Sequence, residues 1–278
     1  MPAFDTAEAI TAIVEIEVGS IRITASKRTD TLVEVLPGNP GHDGDVRAAE
    51  ATKVSLSGNT LTLKGPKKNG LFGRTPAVEV GIELPTGSEV RARTAVGDIV
   101  LVGAYGECRL KTAMGELRID QATTVNLKND HGGVHVELVS GDAEITASGR
   151  AEIGRIDGRA VLGNANGETV LGAVAGDLRA KSSNGAITVG SAQAGVDARS
   201  SNGAIRIGEV ARGKAVLETA VGEVEIGIRP ATAAWLDVHT DHGSVQNHLG
   251  CVDGPTATDE TVEVRARSGY GDIVIRRS

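Results

Sequence analysis

The feature that most constrains this chain is a glycine that returns about every 18 residues, with apolar residues two and four positions behind it. The pattern runs through Gly97 (Ile99, Leu101), Gly115 (Leu117, Ile119), Gly132 (Val134, Val136), Gly149 (Ala151, Ile153) and Gly167 (Thr169, Leu171). It continues through Gly185 (Ile187, Val189), Gly203 (Ile205, Ile207), Gly222 (Val224, Ile226), Gly243 (Val245) and Gly271 (Ile273, Ile275). The spacings are 18, 17, 17, 18, 18, 18, 19, 21 and 28. A second series with smaller inward residues sits half a period away, at Gly106, Gly141, Gly158, Gly176 and Gly213. Each unit therefore holds two short strands with period-2 alternation, and the glycines mark the turns between them. One unit cannot bury its own apolar face, but a stack of units closes a continuous core. The expected fold is an all-β, parallel β-solenoid with rungs of about 18 residues.

Composition agrees with a narrow core. Glycine numbers 37 among 278 residues, and the aromatics are only Phe4, Phe72, Tyr105, Trp235 and Tyr270. Apolar content of 40% must come from small aliphatics, which disfavours a site built on aromatic stacking. Charged residues make up 23%, too few for a disordered chain this rich in β-branched residues. The net charge, 29 − 36 = −7, argues against a nucleic-acid surface.

Three residues before each repeat glycine stand Thr94, Thr112, Asn129, Thr146, Asn164, Ser182, Ser200, Thr219, Thr240 and Ser268. All are small and polar, so a stack of them can bond turn backbone groups. Asn166, Asn184 and Asn202 fall on successive rungs as a ladder of amides, with turn support favoured over a polar ligand groove.

Residues before about 86 break the period. Val14, Ile16 and Val18 alternate, Val54–Leu56 and Leu61–Leu63 flank Ser57-Gly58-Asn59 as a hairpin, and Val78–Leu84 reads as another strand. Residues 46–52 allow one short turn of helix. The reading is a β-rich N-terminal cap over 1–85, continuous as one domain with solenoid repeats over 86–278. Such a cap guards an open end against edge-to-edge pairing.

The search for chemistry finds no concentrated site. His131 and His135 lie about six rungs from His239, His242 and His248, and no carboxylate or thiolate stands out beside the second group. Asp43 and Asp45 lack the spacing of a calcium loop. Cys108 takes an inward position equivalent to Ala143 and Ala160, as a small core hydrophobe. The outward columns mix charges, with Glu168, Glu223 and Glu225 too scattered for an acid/base pair. A hexapeptide acyltransferase helix needs an apolar period of six, whereas here the half-period is nine. No catalytic residue, metal or cofactor is expected.

Contact with a partner is a different matter. The loop from Lys64 to Pro76 surrounds Leu71 and Phe72 with Lys67, Lys68 and Arg74, and Trp235 lies between strand neighbours that point inward. Trp235 should point outward or lie under the stretch 250–261. Lys67, Lys68, Leu71, Phe72, Arg74 and Trp235 are the candidate partner-binding residues.

Val18-Gly19-Ser20-Ile21-Arg22-Ile23, Ile82-Glu83-Leu84-Pro85, the Thr-x-x-Gly-Asp/Glu-apolar units and the closing Val262–Arg267 with Gly271-Asp272-Ile273 carry a family likeness. In these the chain resembles the bacterial adhesin-like β-strand-repeat family of unknown function, domain of unknown function 4097, in its stand-alone actinobacterial form. The resemblance implies a β-solenoid and, in some members, a link to envelope or antimicrobial stress; it supplies no catalytic residues. The start of the chain lacks a signal-peptide pattern, and no stretch approaches the roughly 18 apolar residues of a membrane helix. The expectation is a non-catalytic cytoplasmic scaffold or binding module, a monomer or weak homo-oligomer with an unknown protein or small-molecule partner. The alternatives are a self-assembling solenoid similar to bactofilin filaments and a carbohydrate-active β-helix enzyme.

Overall fold

A computed structural model describes residues 2–66, 74–250 and 260–278. The chain divides into two compact units, Met1–Leu138 and Val139–Ser278.

The first unit holds β1 (Ala3–Asp5), β2 (Thr11–Glu15), β3 (Ile21–Ser26), β4 (Asp30–Pro37), α1 (Asp43–Ala51), β5 (Lys53–Ser57) and β6 (Thr60–Lys64). It continues with β7 (Val78–Pro85), β8 (Glu89–Val96), the long β9 (Ile99–Met114) and β10 (Leu117–Asn129), and β11 (Val134–Val139) ends at the first residue of the second unit. Two parallel stacks form its core. One runs β6–β2–β8 and on through the C-terminal halves of β9 and β10; the other runs β7–β3 and through their N-terminal halves.

The N-terminal stretch is therefore more than a cap. Ile21 and Ile23 face Ile99 and Leu101 in register, so β2 and β3 form a rung of the stack. A long excursion separates this rung in sequence from the next, which hides it from a search at one period. The covering role falls to β4 and β5, which run antiparallel along β7 and β6. The β5–β6 hairpin turns at Ser57–Thr60 as its sequence suggests. Helix α1 is longer than one turn because His42 caps it: its side chain accepts a hydrogen bond from the Asp45 N–H.

The second unit holds β12 (Ala143–Ala147), β13 (Ala151–Ile156), β14 (Ala160–Asn166), β15 (Thr169–Val174), β16 (Leu178–Asn184), β17 (Ile187–Ala192) and β18 (Val196–Asn202). There follow β19 (Ile205–Val210), β20 (Gly213–Val221), β21 (Val224–Ile228), β22 (Ala233–His242), β23 (Val245–Asn247), β24 (Thr261–Tyr270) and β25 (Ile273–Arg277). One face stacks β12, β14, β16, β18 and β20, and the other β13, β15, β17, β19 and β21. Ala160 faces Leu178, and Leu178 faces Val196, at the offset of 18 set by the repeat. Inward residues such as Ile205, Ile207 and Leu217 are fully buried.

The last rungs are out of sequence order. β24 lies between β20 and β22, and β25 between β21 and β23. The turn glycines confirm it: Gly222 N–H donates to Tyr270 O, and Gly271 N–H to His242 O. The spatial order is Gly222, Gly271, Gly243, so the long interval of 28 residues in the sequence falls where the rungs leave chain order.

Candidate functional site

The column of small polar residues ties the turns together. Thr112 Oγ1 donates to Gly97 O at 3.1 Å, and Asn129 Nδ2 to Gly115 O at 2.8 Å. Thr219 Oγ1 donates to Gly203 O at 2.9 Å, and Ser268 Oγ to Gly222 O at 2.9 Å. In each case a side chain reaches the turn carbonyl of the rung beside it, satisfying a backbone acceptor that the bend removes from the ladder.

In the second unit this device shapes a surface. Asn164 donates to Gly149 O at 2.8 Å and Gly167 O at 3.1 Å, and Ser182 donates to Gly185 O at 3.0 Å. Beyond these buried side chains, Ala165–Asn166, Ser183–Asn184 and Ser201–Asn202 are exposed in pairs, so β14, β16 and β18 turn a corner together. The corner carries an open groove of about 510 Å³ lined by Thr146, Lys181, Ser183, Arg199 and Ser201. Beside it the amide ladder forms: Asn202 Nδ2 donates to Asn184 Oδ1 at 3.1 Å and Asn184 Nδ2 to Asn166 Oδ1 at 3.2 Å. Turn support comes from the buried column, whereas the ladder faces solvent.

Charge in the groove is unbalanced. Arg199 lies against Asp197 at 2.8 Å and Glu218 at 2.9 Å. Lys181, in register between Gly163 and Arg199, has no counter-ion among the described residues. Like charges on facing strand positions disfavour the fold. The groove thus presents one cation without a direct partner among the described residues, Lys181, amid hydroxyls and amides.

The other candidates separate. Lys67, Lys68, Leu71 and Phe72 lie outside the described residues. Arg74 contacts the buried Asp45 carboxylate at 3.2 Å. Burial opposes ionisation of Asp45, but the Ala77 N–H, Arg74 and His42 hold its carboxyl below the usual range. Arg74 thus anchors its loop to α1. Asp45 escapes sequence reading because nothing in the stretch around Asp43 and Asp45 marks one of the two aspartates as buried.

Trp235 points outward from β22 and is 73% exposed. Near it, His239 Nε2 lies 3.1 Å from Asp241 Oδ1, a carboxylate the sequence reading did not place with the histidines, and His242 stacks on Tyr270 with ring centroids 4.5 Å apart. Among the described residues no cluster of three or more His, Cys, Asp or Glu is arranged to hold a metal ion. Cys108 is fully buried, and burial pushes its thiol up to about 12. Tyr105, the one aromatic inside the core among the described residues, donates its hydroxyl to Ile23 O and Val102 O.

Stacked parallel rungs, glycine turns and a polar column that bonds turn carbonyls define an all-β parallel solenoid. The chain belongs to the Toastrack DUF4097 family, whose model matches residues 13–278. Among solved structures it is similar to a candidate adhesin from Bacteroides fragilis, with 12% identity, 100% of this chain and 95% of that chain covered, and a TM-score of 0.32. It is also similar to a candidate lipid-binding protein from Parabacteroides distasonis, at 11% identity, 100% and 95% coverage and a TM-score of 0.31. A third, a candidate cell adhesion protein from Clostridium sporogenes, shares 12% identity over 100% and 98% of the chains with a TM-score of 0.21. No curated protein matches the chain. No helix among the described residues is long and apolar enough to cross a membrane.

Proposed function

We propose that this chain is a non-catalytic binding module and that the corner groove of its second unit holds an extended acidic polypeptide segment of a partner. The observation that carries this reading is Lys181, placed beside Arg199 with no counter-ion of its own among the described residues, in a groove that Ser183 and Ser201 also line. A carboxylate-bearing strand laid along the corner supplies the missing charge. Its amides can bond Ser183, Ser201 and the free positions of the asparagine ladder. The finer reading, a cytoplasmic scaffold connected with envelope or antimicrobial stress, is part of the same proposal. Cell fractionation tests the compartment, and a finding of the protein outside the cytoplasm removes it.

The binding test is fluorescence anisotropy with a labelled poly-glutamate peptide. The native chain should bind it, more weakly as salt rises, because exposed charges are screened within about 8 Å at physiological ionic strength. Lys181→Glu should weaken binding about tenfold or more, roughly 1.4 kcal/mol, with an unchanged circular dichroism spectrum. Equal affinity for the variant would reject the groove. Binding of polygalacturonate in place of the peptide would replace a polypeptide ligand by an acidic glycan.

A further inference from the structure

The end rung β22/β23 is built unlike its neighbours. β22 pairs only with β24 and β23 only with β25, so among the described residues the other edge of each has no strand beside it. Along the ten residues of β22, the alternate residues whose N–H and C=O point away from β24 offer unpaired main chain. The core stays open along this edge. Leu236 and Val238 are only half-buried and Val245 is 44% exposed, whereas the equivalent Val264, Ala266 and Ile273 of the next rung are fully buried. The first unit shows how this chain treats an outer strand: β6 and β7 each receive an antiparallel cover. β22 has no proline, lysine or bulge among the guards of an edge; its charged residues Asp237 and Asp241 already lie against Arg265, Arg267 and His239, and the strand exposes the chain's single tryptophan.

We infer that β22/β23 is the interface of a symmetric homodimer, in which β22 of one copy pairs antiparallel with β22 of a second. The proposal is independent of the groove, which lies on β14–β18. A two-fold axis makes an edge its own complement and closes the assembly at two. Charge narrows the register, since only centring on Val238 or on Thr240 sets an aspartate opposite His239, and of the two the Thr240 centre would put Val238 against His242. Centred on Asp237, the pairing sets that carboxylate against its own copy; centred on His239, it sets Asp237 against Asp241 of the second copy. Centred on Val238, it sets Asp237 opposite His239 twice. The same register brings Val238 onto Val238 and Leu236 opposite Thr240, so inward residues meet inward residues. Asp237 already holds Arg267 at 2.6 Å and Arg265 at 3.2 Å, so the pair joins a network with cations of its own.

Size is sufficient. A rung ten residues long spans about 33 Å, and two facing sheets with their side chains are about 20 Å thick. The end thus covers about 650 Å² per copy, or about 1,300 Å² in total, within the standard range for stable interfaces.

The test uses the full chain. Light scattering after size exclusion should give twice the 28.5 kDa of the monomer at tens of micromolar. Dilution should shift the emission of Trp235 to the red as its surroundings open to water. Val238→Lys should give a monomer with an unchanged circular dichroism spectrum and a melting temperature that no longer depends on protein concentration. In a Cys251→Ser background, Val238→Cys should cross-link two copies on mild oxidation, and Asp241→Cys should not. A native chain that stays monomeric at these concentrations overturns the proposal, as does a dimer that survives Val238→Lys. Cross-linking through position 241 but not 238 overturns the register. A Val238→Lys chain that fails to fold leaves the cross-linking pair to decide.

Discussion

Gly185→Ala tests the physical basis of the stack. Gly185 has φ of +142°, and a Cβ placed on it lies 2.0 Å from Gly167 O, on the rung beside it. Ordinary contact begins at 3.4 Å, so the two rungs must separate locally by more than an ångström. The conformation costs an alanine about 1–3 kcal/mol in strain. Separation also loosens the bond from Gly185 N–H to Asn202 O or its neighbour from Gly167 N–H to Asn184 O, about 1–2 kcal/mol more. The expected loss is about 2–5 kcal/mol. Gly58→Ala is the matched control: its φ is +56°, but nothing lies within 4 Å of the added Cβ. There only the left-handed backbone is penalised, by about 1 kcal/mol. Urea unfolding followed by far-ultraviolet circular dichroism reads both. With a slope of about 3 kcal/mol/M, the midpoint should fall by about 1 M for Gly185→Ala and by about 0.3 M for Gly58→Ala. Equal shifts would show that the turn glycines are needed for their dihedral angles alone, and the close-approach argument would fail.

Cys108 should resist a thiol reagent at pH 8 in a Cys251→Ser background and react only on unfolding, because its thiol is raised to about 12. The folded state keeps that proton while the unfolded chain releases it, so the stability due to the neutral thiol is complete below about pH 8.5 and declines above it; native reactivity as fast as in urea would contradict the burial. Asp45 has the opposite sign. Its carboxyl is lowered in the fold, so its contribution is present above about pH 4 and lost as pH falls through the folded value. Asp45→Asn should lower the melting temperature at pH 7 and flatten the acid limb of the stability curve; an acid limb identical to that of the native chain would show that Arg74, Ala77 and His42 do not hold the charge.

What the sequence reveals and what it hides follow from the same repeat. The alternation behind Gly185 and Gly203 determines which residues face inward, because a one-residue slip would expose Ile187 and Ile205. The Thr/Asn/Ser column is legible because every rung needs the same turn carbonyl bonded. The groove is less legible: the offset of 18 aligns Gly163, Lys181 and Arg199, but Lys181 is one outward residue among many, and the ion pairs that occupy Arg199 and not Lys181 show only in the structure. A periodic pattern says that a segment is a rung but not which rungs are its neighbours, because equivalent rungs present similar edges. The order at the chain ends is set by other means, namely loop length and the exposure each strand can tolerate. The 62 residues between Ser26 and Glu89 let β2/β3 take a place inside the stack, and the interval of 28 lets β24/β25 do the same. Burial then separates the two candidates for the outer place. β24 sets Val262, Val264 and Ala266 fully in the core, whereas β22 sets Trp235, His239 and Asp241 on its outer surface and leaves Leu236 and Val238 only half-buried. A strand that carries a tryptophan outward and leaves Leu236 and Val238 half-covered is suited to the end of a stack only if something further covers it. That requirement, more than any motif, makes β22 the place where a second copy of the chain docks in the proposed dimer.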